Sequence, residues 1–496
     1  MKDSRMDRGA GILLAVTSLP SPYGIGTMGK EAFRFVDMLT DLRQKYWQVL
    51  PIGPTSFGDS PYQSFSAFAG NPYLIDLDIL IEEGLLKQEE VDGYNWGGRK
   101  DDVDYALIYT NRFKVLKSAF SRFDVKKDAF KKFCKDNKEW LEDYSLYMAV
   151  KNEKGGSEWL SWEEGLKNRD ADTLAAYREK LREQILFWMF LQYKFFEQWK
   201  ALKTYANEHG IKIIGDIPLY IALDSADVWA DRGQFKLDEE GRPSEVAGCP
   251  PDDFSDDGQK WGNPLYDWEK MEAEGFGWWK KRIAANGRIF DIIRIDHFIG
   301  VAKYYSIPAQ DENARGGRWN KGPGKKLTDM IENTLGKNRI IAEDLGVAVP
   351  AVKKLLAKTG WPGMKILLFA FDGNTANEHL PHNYEDGNLV VYAGTHDNET
   401  ITGYFRDKTE YELAYLYEYL NIKRKDDIPD AIIRAAYASV ADIAIMQMQD
   451  LLKLGNETRM NFPSTVGCNW RWRTLKGSLD EERRTWLRTM TLLYRR

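Results

Sequence analysis

Four acidic residues each follow a short run of β-branched and apolar residues: Asp216 in IKIIGDIP, Asp296 in FDIIRIDHF, Glu343 in NRIIAEDLG and Asp397 in LVVYAGTHDN. Strands that run parallel and close into a barrel present their C-terminal ends at one mouth, so acids at four strand ends can meet there. Converging carboxyl groups suit acetal chemistry, in which one donates a proton while another stays ionised. The pattern points to an enzyme acting on sugar chains.

The neighbours of these acids refine that reading. Arg294 lies two residues before Asp296, so on a strand both side chains face the same way. A guanidinium there keeps the carboxylate ionised and oriented, as a nucleophile requires; a structural Arg–Asp pair closing the barrel end is the alternative. Glu343 sits at the rim of the apolar run RIIA, where partial desolvation favours the protonated acid. A helix N-terminal position, where acids suit the dipole, would also explain it. Two of the five histidines, His297 and His396, adjoin candidate acids. Their imidazoles could bind sugar hydroxyls, with Asp397 bridging two adjacent hydroxyls and favouring ring distortion. The histidines are not at the i, i+4 spacing of a helical metal site.

Other templates do not fit. There is no GxSxG elbow and no GxxxxGK[ST] phosphate loop; SPYGIGTMGKEAF has tight-turn glycines without the GxGxxG arrangement. Cys134, Cys249 and Cys468 are far apart with no CxxC or Cys/His spacing, which predicts reduced thiols in a cytoplasmic protein.

Such acids need strands to hold them. Residues 11–20 and 46–51 read as the first two, with the amphipathic helix 31–42 crossing between them. Runs at 211–217, 289–296, 338–344, 365–371 and 389–397 continue the series; 444–450 is an eighth candidate or the tail of a helix. Apolar runs alternating with helical stretches are the pattern of buried parallel strands, and predict an α/β chain built as a (β/α)8 TIM barrel. Its 496 residues form one catalytic barrel, 1–496, with two insertions. Residues 75–180 read as a helical insertion packed beside the barrel. Residues 224–288 read as loop-rich, the place for an active-site wall and lid. The segment 182–210 reads as a helix buried on most sides.

Composition narrows the partners. The formal net charge is −6 and the basic residues are scattered, which argues against nucleic acid. No apolar run is long enough to span a bilayer, and the first residues lack the apolar core of a secretory signal. Aromatic residues make up 13%, and many Trp and Tyr fall in Gly/Pro-rich stretches where they could stack on sugar faces.

At this level of detail the chain resembles the amylomaltases, or 4-α-glucanotransferases (disproportionating enzymes), a branch of the α-amylase clan. The resemblance covers nearly the whole length. It rests on GILLAVTSLPSPYGIG (11–26), KYWQVLPIGPTSFGDSPYQSFSAFAGNPYLID (45–76), GDIPLYIALDSADVW (215–229) and PPDDFSDDGQKWGNPLYDW (250–268). RIDHFIG (294–300), AEDLG (342–346), GTHDNET (394–400) and RMNFPSTVGCNWRWR (459–473) complete it.

The resemblance implies a barrel with helical and loop insertions and no C-terminal β-sandwich. It implies Asp296 as nucleophile, Glu343 as general acid/base and Asp397 as transition-state stabiliser, with Arg294 and His396 supporting the nucleophile and the donor-side glucose and Asp216 shaping the same pocket. Tyr62 and Ser60 in the SPYQ segment and Trp261 in KWGNP fall at glucan-contacting positions, and Phe254 on a lid. Two departures stand out: FPST where the family has a glycine, as in PGT, and Phe254 where a Tyr is common. The implied activity is retaining transfer of α-1,4-glucan segments between maltooligosaccharides or starch- and glycogen-type glucans, with glucose or oligosaccharides as acceptors. The carboxylates supply nucleophile and proton, so no cofactor or metal is expected, and neither nucleic acid nor membrane. Hydrolysis by the same acids, or a catalytically inactive glucan-binding barrel, are the alternatives.

Overall fold

The computed structural model describes the chain except for residues 1–4, 57, 252–254 and 347–349. Eight short strands form its centre: β1 (Gly9–Leu13), β2 (Tyr46–Gln48), β3 (Lys212–Ile217), β4 (Ile292–Ile295), β5 (Ile340–Ala342), β6 (Gly363–Ile366), β7 (Leu389–Tyr392) and β8 (Ile443–Gln447). They lie in the order β6-β7-β8-β1-β2-β3-β4-β5, and each neighbouring pair is parallel. The two ends of this order meet where the Ala342 N–H donates to the Pro362 carbonyl at 2.9 Å. The result is a nearly closed (β/α)8 barrel. Its strands are rich in Ile because they are covered on both faces, by helices outside and by packed side chains within.

The eighth run is a strand that hands over directly to the short helix Met448–Leu451. The 389–397 run stops earlier than its sequence predicts. Thr395 turns its N–H and Oγ1 onto Asn398 Oδ1, at 2.8 and 3.0 Å, and its carbonyl accepts the Asn398 N–H at 3.1 Å. Such local side-chain bonds offer the backbone an alternative to the strand ladder, so His396 and Asp397 ride on a turn beyond β7.

Between β2 and β3 the chain forms a succession of helices, among them Tyr105–Ser121, Asp128–Asp136 and Lys138–Glu153, before the 27-residue helix Arg182–Glu208 returns it to the barrel. That long helix buries Phe187, Trp188, Phe190, Leu191, Phe195, Trp199 and Leu202. The stretch 224–288 contains more regular structure than its Gly/Pro-rich text predicts. Its strands Glu245–Cys249 and Gln259–Pro264 join Lys303–Pro308 and Arg318–Lys321 in a four-stranded antiparallel sheet, and helices Trp268–Ala273 and Gly277–Ile289 lead into β4. The partner strands lie far along the chain, so local patterning does not reveal the pairing.

After β8 come residues 459–474, which return to the mouth of the barrel, and the terminal helix Glu481–Leu493; among the described residues there is no C-terminal β-sandwich. No described helix is long and apolar enough to cross a membrane.

Candidate active site

The acids assemble from the strand order outward. Asp216 on β3 and Arg294 on β4 are direct register partners, and side chains so placed share a face. Arg294 Nη1 donates to both carboxylate oxygens of Asp216, at 2.7 and 2.8 Å, and to Asp296 Oδ1 at 3.1 Å. Tyr62 Oη donates to Asp216 Oδ2 at 2.7 Å. Asp216 and Arg294 are buried, whereas the Asp296 side chain keeps 24% exposure toward the cleft. Gly215 permits this arrangement: a Cβ there would meet the Phe290 ring at 2.1 Å. Burial opposes the charge on Arg294, but Asp216 and Asp296 more than compensate and raise its pKa, so it stays a permanent cation.

Glu343 follows β5. Ile295 and Ala342 are paired in register, and the Glu343 N–H donates to the Ile295 carbonyl at 3.1 Å. One residue on, Asp296 and Glu343 therefore leave adjacent strands at the same level, strands that are spaced about 4.8 Å apart. Glu343 Oε2 accepts the His297 N–H at 2.6 Å and Oε1 accepts the Leu345 N–H at 3.2 Å. Burial raises the Glu343 pKa, with Arg294 opposing and Asp296 adding to the rise. Burial also raises that of Asp296, which Arg294 offsets by direct contact. The physical order is clear: the acid that touches the guanidinium ionises first, and its neighbour keeps a proton to higher pH.

His297, between the two, has a left-handed φ of 51°, uncommon for a residue with a Cβ and typical of functional sites. Burial lowers its pKa to about 4, so its ring is neutral. Trp261 stands edge-on against that ring, with centroids 4.7 Å apart and an 87° interplanar angle, and Tyr220 lies 6.3 Å from both.

Across the mouth, His396 Nε2 lies 3.2 Å from Asp397 Oδ2, and Asn461 Nδ2 donates to Asp397 Oδ1 at 2.6 Å. Arg459 holds the Asp397 carbonyl at 2.6 Å. Burial alone would raise the Asp397 pKa; His396 and then Asn461 pull it well below the usual carboxylate range. Burial works against a charged His396, yet Asp397 prevails and raises the imidazole pKa. Tyr62 stacks on His396, with ring centroids 5.1 Å apart and a 13° angle, and tilts toward Trp470 at 5.7 Å. Tyr62 thus links Asp216 to the Asp397 turn.

The structure brings together Asp216, Arg294, Asp296, Glu343, His396, Asp397 and Tyr62, with Trp261 on the rim. Ser60 lies behind Tyr62: its Oγ accepts the Tyr62 N–H at 3.3 Å and its carbonyl the Gln63 N–H at 3.2 Å. Phe254 lies outside the described residues. Ser464, at the position of the family's glycine, has φ 66°, in the region glycine favours. Sequence reading missed Asn461, Trp470 and the His297 backbone. The only signal for Asn461 was its place in the RMNFPST motif.

Asn461→Ala is expected to lower the rate of the site's reaction roughly ten- to a hundredfold, the effect of losing a hydrogen bond to a charged group, with the fold unchanged by circular dichroism. Initial rates of native and variant chains check it.

Comparison with known proteins places this geometry. The pattern of the 4-alpha-glucanotransferase family matches residues 14–477. The chain is 47% identical over 486 residues to a 4-alpha-glucanotransferase of Clostridium butyricum, covering 97% of this chain and 99% of that one. It is 47% identical over 496 residues to one of Thermus thermophilus, covering 98% of each. The structure of the amylomaltase from Streptococcus agalactiae in complex with acarbose superposes with a TM-score of 0.95 at 43% identity, over 99% of both chains. This chain belongs to the 4-alpha-glucanotransferase family, whose enzymes transfer glucan segments.

Proposed function

We propose that the chain transfers α-1,4-glucan segments from a maltooligosaccharide or starch-type donor to a sugar acceptor by retaining double displacement. Asp296 attacks C1 of the donor sugar while protonated Glu343 delivers its proton to the leaving glycosidic oxygen. A glycosyl ester forms on Asp296 and the shortened sugar departs. Glu343, now a base, takes the proton from the 4-hydroxyl of the acceptor, whose oxygen then displaces Asp296 with net retention at C1. Asp397, ionised beside His396 and Asn461, binds hydroxyls of the reacting ring. Arg294 keeps Asp296 charged and aimed; Asp216 and Tyr62 keep Arg294 in place.

The observation that carries this reading is the side-by-side exit of Asp296 and Glu343 from adjacent strands, one on a guanidinium and one shielded. Retaining enzymes hold such carboxyl groups about 5–5.5 Å apart. Transfer over hydrolysis follows from sugar binding that excludes water from the second step. Trp261, Tyr220 and the described part of the 224–288 segment supply that wall, and Ser60 supports Tyr62. The helical stretch 75–180 serves as an insertion subdomain of the same barrel. We place the reaction in the cytoplasm.

Incubation with maltotriose tests the reaction type. A ladder of longer maltooligosaccharides, together with glucose, is expected. Products that are exclusively shorter than the substrate would assign hydrolysis instead.

A further inference from the structure

Gln447 is the last residue of β8, pairs in register with Leu13 of β1 and is 2% exposed. A buried amide at the end of the apolar strand IAIMQ costs free energy unless its hydrogen bonds are made. A Cβ at Gly394 would lie 3.4 Å from Gln447 Nε2, so the amide sits against the turn that carries His396 and Asp397. Gln447 and His396 both line a cavity of about 10 Å³, with Ser18, Gln449, Met460 and Trp472 around them. That is the room of a single water.

Two polar atoms at this place, Gln447 Nε2 and His396 Nδ1, are buried and have no hydrogen-bond partner among the described residues. Buried polar groups are nearly always satisfied, and water completes the set where protein does not. The other polar side chains of the cavity are engaged elsewhere. Ser18 Oγ donates to the Trp472 carbonyl at 2.8 Å, and Gln449 Nε2 to the Thr458 carbonyl at 3.2 Å. The Gln447 amide also lies near Asp450, whose Oδ1 accepts the Ile401 N–H at 2.7 Å; burial raises the Asp450 pKa, and the Ile401 N–H and the amide oppose the rise.

His396 needs the second contact. Its Nε2 is committed to Asp397 Oδ2, so a charged ring still has the N–H on Nδ1 to place. Stacking on Tyr62 holds the plane of the ring but not its sense. A half-turn about the Cβ–Cγ bond leaves the stacked faces alike, yet it exchanges nitrogen for carbon at both positions. Polar contacts on both nitrogens select one sense.

We propose that Gln447 is a positioning residue for the reaction: one water joins its amide to His396 Nδ1 and so locks the imidazole onto Asp397. The water accepts the hydrogen bond of the Nδ1–H and donates one to Gln447 Oε1. The role rests on the glucan-transfer reading above; the bridge itself does not.

A high-resolution crystal structure of the native chain should show an ordered water within hydrogen-bonding distance of both side chains. A direct Gln447–His396 contact, or no water between them, overturns the proposal. Gln447→Leu keeps the volume and removes the hydrogen bonds. It should lower kcat for maltotriose roughly tenfold, the effect of losing a hydrogen bond to a charged group, with KM nearly unchanged. In the same variant the imidazole NMR resonances of His396 should titrate at lower pH than in the native chain. Burial, Asp397, Arg294 and Asp216, which set that titration, are common to both chains, so the shift reports Gln447. Gln447→Glu restores an acceptor and should bring back both kcat and the titration. Equal loss of kcat in both variants with the His396 titration unmoved makes Gln447 a packing residue and overturns the proposal; native rates in Gln447→Leu do so as well. Failure of the underlying reading shows separately, as absence of transfer from maltotriose by the native chain, while the crystal structure and the titration still decide the bridge.

Discussion

Replacing Asp296 by asparagine is expected to lower kcat for transfer from maltotriose about ten-thousandfold or more, the scale seen when a covalent nucleophile is removed. Asparagine keeps the size of the side chain and can still accept from Arg294, so KM should change little and the fold should persist. The change removes the one atom that can form the glycosyl ester and leaves Asp216 in place against Arg294 and Tyr62. Initial rates with circular dichroism as the control check the outcome. Unchanged turnover would return the barrel to the alternative of a glucan-binding protein whose acids are structural.

Glu343 carries the second large effect, and its signature depends on the leaving group. Glu343→Ala is expected to slow reaction of maltotriose by roughly a hundred- to ten-thousandfold, the usual contribution of a general acid. The first step with an α-maltosyl fluoride should suffer far less, because fluoride departs without a proton. The pH profile supplies an independent sign. Below the acid limb Asp296 is protonated and cannot attack; above the alkaline limb Glu343 has lost the proton it must deliver. Burial raises both values, further for the acid that lacks the direct guanidinium contact. The active window should therefore lie above the ordinary carboxylate range on both sides. In Glu343→Gln the alkaline limb should vanish while the acid limb remains.

What the sequence disclosed of this site is what local patterning can disclose. The Ile-rich runs before Asp216, Asp296 and Glu343 are buried parallel strands, and such runs identify themselves by composition. Arg294 was legible because a two-residue offset on a strand fixes a shared face. Asn461 was not, because it meets Asp397 across 64 residues of chain. The Tyr62–Asp216 bond likewise spans 154 residues; the resemblance pointed to Tyr62 as a glucan contact, and the bond itself was not legible. The antiparallel sheet of 245–321 escaped notice for a similar reason: its strands are short, and two of them lie in text dominated by Gly, Pro and Asp. The end of β7 was overestimated because Thr395 and Asn398 satisfy each other locally, which apolar patterning cannot register.

Tying these elements together is the assignment of a covalent bond to one oxygen-bearing side chain. The direct measurement is peptide mass spectrometry of the Glu343→Ala chain, quenched at acid pH after mixing with an α-maltosyl fluoride. With no residue to activate the acceptor, the glycosyl-enzyme should accumulate, and a maltosyl increment should appear on the peptide containing Asp296. Consumption of the fluoride with that peptide unmodified, or with the increment on the peptide of Asp397 or Asp216, would contradict the account.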